Sequence, residues 1–451
     1  MKRAAFPLGL LALALASCDG RITSSEPPII GFDTQLRQRI AQWGVVPIAA
    51  MPPQDPAMVA LGRALFFDRV LSGNRDIACS TCHHPVTGLG DGLSLPIGTG
   101  ASGTGALRRL GEDRQFVPRH APSLLNSGIG AFYMFWDGRL AGFGQHGIQN
   151  ETGIDLPSGL PTTLIAQAML PVLNPVEMRG RPGDVDVFGN PNELAQFGEH
   201  EPAAVWDALM RRLIAIPGYV QLFATAYPGR APASLRFEDA ARALAVFQME
   251  AFTKTRSPFD RYLDRDDAAL TAEQKRGAGL FFGDGLCSSC HNGPFLGAQQ
   301  FANVGIPQIG PGASRQPPLD LGRGELPNND FYRFAFRVAP LRNVELTAPY
   351  MHNGAYPTLE AVLRHYDDVS FAARNYDVTQ LDPSLRHMVH TDRTTVDAVL
   401  ANLDHRLRVP LDLTDAEQRE LIAFLKSLTD PSARDLRSLI PASVPSGLPV
   451  Q

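Results

Sequence analysis

Cysteine is scarce in this chain, with five among 451 residues. Four of the five fall into two short motifs and the fifth stands at position 18, so no thiol remains for a structural disulfide. Charge of one sign is equally lacking. A formal net charge of -5 removes the electrostatic case for nucleic acid. The apolar run from Ala4 to Ala16 is too short to span a membrane as a mature helix. Few segments alternate apolar and polar residues as strands do, and the glycine-rich stretch from Gly98 to Gly105 lacks both a Gly-Lys-Ser/Thr ending and a preceding apolar strand. A phosphate-binding loop is thereby excluded. What is plentiful is proline (37) and glycine (41), which places long ordered loops between helices. The length suits two or three domains of ordinary size.

The N-terminus carries Lys2 and Arg3, the apolar run, and then Leu15-Ala16-Ser17-Cys18. This arrangement resembles a bacterial lipoprotein signal, residues 1–18, and the resemblance makes Cys18 the lipidated first residue, with Asp19 favouring retention at the inner membrane. An ordinary secretory signal with an incidental cysteine is the alternative. Either way the chain leaves the cytoplasm, toward a periplasmic location. Residues 19–30, polar and proline-ended, read as a tether between lipid and folded body.

Cys79-Ser80-Thr81-Cys82-His83 and Cys287-Ser288-Ser289-Cys290-His291 are two C-x-x-C-H motifs. In each, the two thiols have the spacing that bonds the two vinyl groups of one porphyrin, and the adjacent histidine, His83 or His291, reaches the iron. Two covalently bound c-type haems are the expectation. Zinc or thioredoxin-like C-x-x-C turns are the competing reading, and they do not call for the histidine. An internal repeat organises the body: Leu61-Gly62-Arg63-Ala64-Leu65-Phe66-Phe67-Asp68 precedes the first motif and Arg276-Gly277-Ala278-Gly279-Leu280-Phe281-Phe282-Gly283 the second. The fold expected is mainly α, two cytochrome c-like haem domains over 31–265 and 266–430, followed by a tail, 431–451. Helical spacing agrees, with Leu244 and Phe247 on one stripe of 238–247. Thr414-Asp415-Ala416-Glu417 resembles a capping box ahead of Leu421, Phe424, Leu425 and Leu428. The Gly98–Gly105 stretch then reads as an extended loop near the first haem.

Further stretches are specific: Ala121-Pro122-Ser123-Leu124-Leu125-Asn126, Phe135-Trp136-Asp137-Gly138-Arg139, Asn174-Pro175-Val176-Glu177-Met178, and Leu341-Arg342-Asn343-Val344-Glu345-Leu346-Thr347-Ala348-Pro349-Tyr350-Met351-His352. From Leu61 to Leu428 the chain resembles the bacterial dihaem cytochrome c peroxidase and MauG superfamily. The resemblance implies that hydrogen peroxide reacts at the first haem while the second stores or relays electrons. No histidine lies between His84 and His120, where classical members keep a removable distal ligand, so the sixth position of the first iron is expected to be open; His84 reads as a loop residue. Glu177 matches the family's catalytic glutamate, able to move a proton between the peroxide oxygens. Pro171 matches a distal-pocket proline. Gln145 stands nearest the family's distal glutamine, beside His146, and 147–170 reads as an insertion. Trp136 matches the tryptophan that relays electrons between the haems.

The resemblance also implies a calcium ion on the backbone carbonyls of Thr347 and Pro349, although His120 replaces the family's asparagine ligand and suits a hard cation poorly. At the second haem the ligand opposite His291 is a methionine in peroxidases; here the position is Tyr366, with His365 or Met388 as alternatives. A phenolate favours higher iron oxidation states, as in the MauG-like branch. The function implied is peroxide-driven oxidation of tryptophan or tyrosine side chains of a periplasmic partner protein through a high-valent dihaem state. Gly285 and Leu286 stand where MauG has an exit tryptophan, so the route to substrate differs. The dihaem enzyme associated with methanobactin clusters offers a nearer resemblance, and with it a copper-binding partner. A cytochrome c peroxidase fed by a small cytochrome or cupredoxin is the first alternative, and a non-enzymatic electron carrier the second.

Overall fold

The structure, a computed structural model, describes residues 31–129, 132–142, 147–297, 300–313 and 316–450. Cys18, the tether and Gln145 with His146 lie outside the described residues. Helices and long loops dominate. After α1 (Phe32–Gln42), the first unit carries α2 (Pro56–Phe67), α3 (Cys79–Cys82), α4 (Thr163–Ala168), α5 (Pro202–Ile214), α6 (Pro217–Ala226) and α7 (Phe237–Phe252). The second carries α8 (Pro258–Leu263), α9 (Ala272–Phe281), α10 (Leu359–Asp367), α11 (Val369–Arg374), α12 (Arg393–Ala401) and α13 (Asp415–Ser427). Strands are short: β1 (Tyr133–Met134), β2 (Leu140–Gly142) and β3 (Ile148–Asn150) form an antiparallel sheet. β4 (Phe301–Ala302) pairs with β6 (Phe336–Arg337), and β5 (Gln308–Ile309) with β7 (Val389–His390).

The internal repeat is a packing device. A Cβ at Gly62 of α2 would lie 2.0 Å from the Ala243 carbonyl oxygen of α7, and one at Gly277 of α9 would lie 1.9 Å from that of Glu420 in α13. Each helix pair therefore crosses at backbone contact, which only glycine permits. The phenylalanines that follow lock each crossing, Phe66 against Phe247 with ring centroids 5.4 Å apart and Phe281 against Phe424 at 5.2 Å. Such pairs contribute about 0.5–1.5 kcal/mol beyond the area they bury. The last helix starts as its sequence proposes: Thr414 N–H donates to Glu417 Oε2 at 2.9 Å and Glu417 N–H to Thr414 Oγ1 at 3.3 Å. Leu421, Phe424, Leu425 and Leu428 are buried behind it.

Apolar packing does not follow the domain boundaries read from sequence. Leu36, Ile40 and Val45 belong to the second core, beside Phe259, Tyr262 and Phe424. Ala433, Leu436, Val444 and Leu448 of the tail pack into the first core, where Ser446 Oγ also donates to Asp68 Oδ1 at 2.6 Å. The first and the last described segments thus each close the unit remote from them in sequence. An amphipathic stripe shows that a segment is buried but not against which partner. Between the units, buried Arg119 donates to Asp320 Oδ2 and Oδ1 at 2.7 and 2.8 Å and to Asp137 at 2.5 Å, tying the second unit to the first.

Candidate active site

Cys79, Cys82 and His83 line a mainly apolar cavity with Phe66, Leu71, Ile77 and Leu244. His83 Nδ1 lies 3.0 Å from the Leu89 carbonyl, and burial lowers its pKa. A neutral ring that donates from Nδ1 leaves the Nε2 lone pair for a metal. Burial pushes the Cys79 thiol up to about 12, so the thiols are uncharged. Two thiols, one neutral imidazole and apolar walls are the donor set and shape a c-type haem needs.

On the same cavity stand Pro171, Gln167 and Glu177. Glu177 sits on a single π turn, Pro175–Arg179, a feature frequent at functional sites. Asn174 caps that turn and its side-chain nitrogen donates to Glu177 Oε1 at 3.0 Å. Loss of hydration pushes the carboxyl up to about 7, against a smaller opposing effect of the Arg139 cation. The side chain is partly exposed and lines the cavity. The glycine-rich stretch supports this turn from behind: a Cβ at Gly98 would meet the Val176 carbonyl at 2.0 Å, and Thr99 N–H donates to the Glu177 carbonyl at 2.9 Å.

The segment 147–170 is more than an insertion. It contains α4, which brings Leu164, Gln167 and Ala168 to the cavity. Gln167, near the end of α4, and Pro171, which opens the short turn after it, both line the cavity. His84 is off the cavity lining, and its Nδ1 accepts from Val86 N–H at 3.3 Å to start a short turn.

Cys287, Cys290, His291 and Tyr366 line a second cavity. His291 repeats the first arrangement, with Nδ1 3.1 Å from the Leu296 carbonyl and its pKa lowered to about 4 by burial. Leu89 and Leu296 share a positive φ, 62° and 55°, so the same backbone twist turns both carbonyls. Tyr366 comes from the end of α10, and burial, reinforced by the neighbouring Cys290, Cys287 and Tyr356, pushes its phenol above the ordinary range. The alternative ligands are committed elsewhere. His365 bonds Tyr356 Oη through Nδ1 at 2.8 Å and the Val304 carbonyl through Nε2 at 2.7 Å, while Met388 packs against a separate apolar cluster around Tyr376 and Leu385.

Trp136, His120, Arg337 and Arg342 line both cavities and so form the wall between them. Trp136 Nε1 donates to the His120 carbonyl at 2.8 Å, and Arg337 N–H to the Trp136 carbonyl at 2.7 Å. Thr347 and Pro349 reach only the second cavity. The His120 ring nitrogen lies 2.8 Å from the Leu93 carbonyl, and no cluster of three His, Cys, Asp or Glu side chains suited to a metal occurs among the described residues.

The family model for di-haem cytochrome c peroxidase matches residues 56–268, and a RoxA-like, cytochrome c-like model matches residues 335–368. The methylamine utilization protein MauG of Methylorubrum extorquens is 30% identical over 431 residues, 95% of this chain and 94% of that protein. The cytochrome c551 peroxidase of Pseudomonas aeruginosa is 31% identical over 348 residues, 77% of this chain and 81% of its own. A solved MauG-like protein associated with microbial copper homeostasis superposes with a TM-score of 0.58 at 26% identity, over 86% of this chain and 94% of that one. Two haem cavities, a carboxylate over the first and an aromatic wall between them accompany these matches: the chain belongs to the di-haem cytochrome c peroxidase and MauG family of oxidoreductases.

Proposed function

We propose that the protein uses hydrogen peroxide to oxidise tryptophan or tyrosine side chains of an exported partner protein. Two electrons and two protons leave the partner's side chains, and peroxide is reduced to two waters. Haems held at Cys79, Cys82 and His83, and at Cys287, Cys290 and His291, supply the iron that carries the oxidising equivalents. Glu177, with a pKa near the working pH, takes a proton from one peroxide oxygen and returns it to the other. Gln167 provides the second polar contact in that cavity, and Pro171 adds an apolar wall without an N–H donor. Trp136 passes electrons through the wall, its indole fixed by the His120 carbonyl.

The observation that carries the reading is Tyr366 on the second cavity, with His365 and Met388 engaged elsewhere. A phenolate ligand suits storage of an oxidising equivalent, whereas the thioether of a donor-fed peroxidase favours the reduced state. A copper-binding partner is the choice supported by the relative associated with copper homeostasis. The leader sequence supports export with lipidation at Cys18; no helix among the described residues is long and apolar enough to cross a membrane.

Mixing holoenzyme, peroxide and a candidate exported partner, then mapping the partner by mass spectrometry, tests the proposal. Oxidation confined to aromatic residues is expected. Steady consumption of peroxide with a reduced small cytochrome or cupredoxin, and no modified partner, would instead identify a cytochrome c peroxidase.

A further inference from the structure

Five arginines line one or both cavities: Arg119, Arg139, Arg337, Arg342 and Arg406. Four have a carboxylate partner. Arg119 pairs with Asp137 and Asp320 at 2.5 and 2.7 Å, Arg139 with Asp137 at 3.2 Å, Arg342 with Asp260, and Arg406 with Asp404 at 2.7 Å. Arg337 has none among the described residues. Its backbone is fixed in β6, its Nε donates to the Phe135 carbonyl at 3.2 Å, and its two Nη groups have no protein partner there. The nearest counter-charge, Asp137, is already paired with Arg119 and Arg139 and offsets the loss of hydration at Arg337 only in part, so a further anion arriving with the contents of the cavities would stabilise this cation.

We infer that Arg337 is a shared anchor for haem propionate carboxylates, one guanidinium serving the contents of both cavities. This rests on the dihaem reading. Propionates are the only anionic groups a haem carries at its edge, and a guanidinium fork matches a carboxylate better than any other side chain. Arg337 lines both cavities and lies next to Trp136, whose carbonyl its own N–H engages at 2.7 Å. It is therefore a positioning residue whose charge is felt at both irons. Its positive charge raises the potential of each haem, and by keeping the propionates ionised it prevents them from adding a pH dependence of their own.

The test is spectroelectrochemical titration of holoenzyme at several pH values for wild type, Arg337→Gln and Arg337→Lys, with haem per chain counted on denatured protein. The neutral variant should show lower midpoint potentials at both haems and a new pH dependence, as carboxylates lose their ionic partner. Arg337→Lys, which keeps the charge, should return both potentials most of the way. Arg337→Gln with two haems and unmoved potentials, or a shift confined to one haem, overturns the shared anchor while leaving the dihaem reading intact. Wild type with fewer than two haems overturns the dihaem reading and the anchor with it. If Arg337→Gln does not retain its haems, wild type and Arg337→Lys decide. The potential of the second haem, whose cavity Glu177 does not line, should stay flat between about pH 6 and 8, well above the range in which an anchored carboxylate titrates, and a proton-linked slope there contradicts the anchor.

Discussion

The Asn174 side chain holds Glu177 from two directions: its nitrogen donates to Glu177 Oε1 at 3.0 Å, and its oxygen accepts from Glu177 N–H at 3.2 Å and Val176 N–H at 2.9 Å. One carboxylate oxygen is thereby fixed, and the other is left for a proton in the first cavity. This is the preorganisation a general base needs.

Replacing Glu177 by glutamine keeps the shape and removes the proton acceptor. Peroxide-driven oxidation of the haems, followed by stopped-flow absorbance, should slow by ~10²–10⁴-fold with resting spectra little changed. Unaltered kinetics would assign Glu177 a structural part only.

The same residue sets a pH profile. Its pKa lies at about 7, and the base is active when ionised, so the peroxide reaction should accelerate as pH rises through about 7 and level off above it. In Glu177→Gln that inflection should vanish. A wild-type rate flat from pH 5.5 to 8.5, on the scale of ordinary carboxyl and histidine titration, would contradict the assignment.

Gln167→Leu should also slow peroxide reaction, because it removes the polar group that α4 brings to the cavity beside Pro171. A single polar contact of this kind is worth ~10-fold or more when it acts in the transition state. Full activity in Gln167→Leu would leave the second polar role to another residue.

How much of this was legible follows the residues. The haem motifs were read directly, since cysteine and histidine spacing is a covalent requirement that tertiary structure cannot override. Gly62 and Gly277 announced a repeat, but not that each admits a helix crossing; a glycine states only that a Cβ is unwelcome. Gln145 lies outside the described residues, and that Gln167 lines the first cavity depends on the direction in which a short helix turns it, which the sequence alone does not state. That Arg337 alone of the cavity arginines forms no ion pair among the described residues is a property of three-dimensional packing.

The helix crossings can be tested by Gly277→Ala. Its methyl would be forced against the Glu420 carbonyl, so α9 and α13 must move apart. Overpacking of this kind costs ~1–3 kcal/mol, so thermal unfolding should shift to lower temperature, with the second haem's absorbance perturbed before the first's. An unchanged melting temperature would show that the crossing can yield.

Trp136→Phe should separate the two cavities. Peroxide should still react at the first haem, while the oxidising equivalent reaches the second more slowly, visible as a delay between the two haem signals after mixing. No delay would remove Trp136 from the path.

The identity of the second iron's ligand decides between an enzyme that stores oxidising equivalents for a protein substrate and one fed by an electron donor. Redox titration of Tyr366→Met beside wild type measures it. Exchange of phenolate for thioether should raise the potential of the second haem by a large part of the ~0.8 V that axial ligands can span, with oxidation of the partner lost. An unchanged potential with partner oxidation retained would mean that Tyr366 is not the ligand, and the proposed function would fall with it.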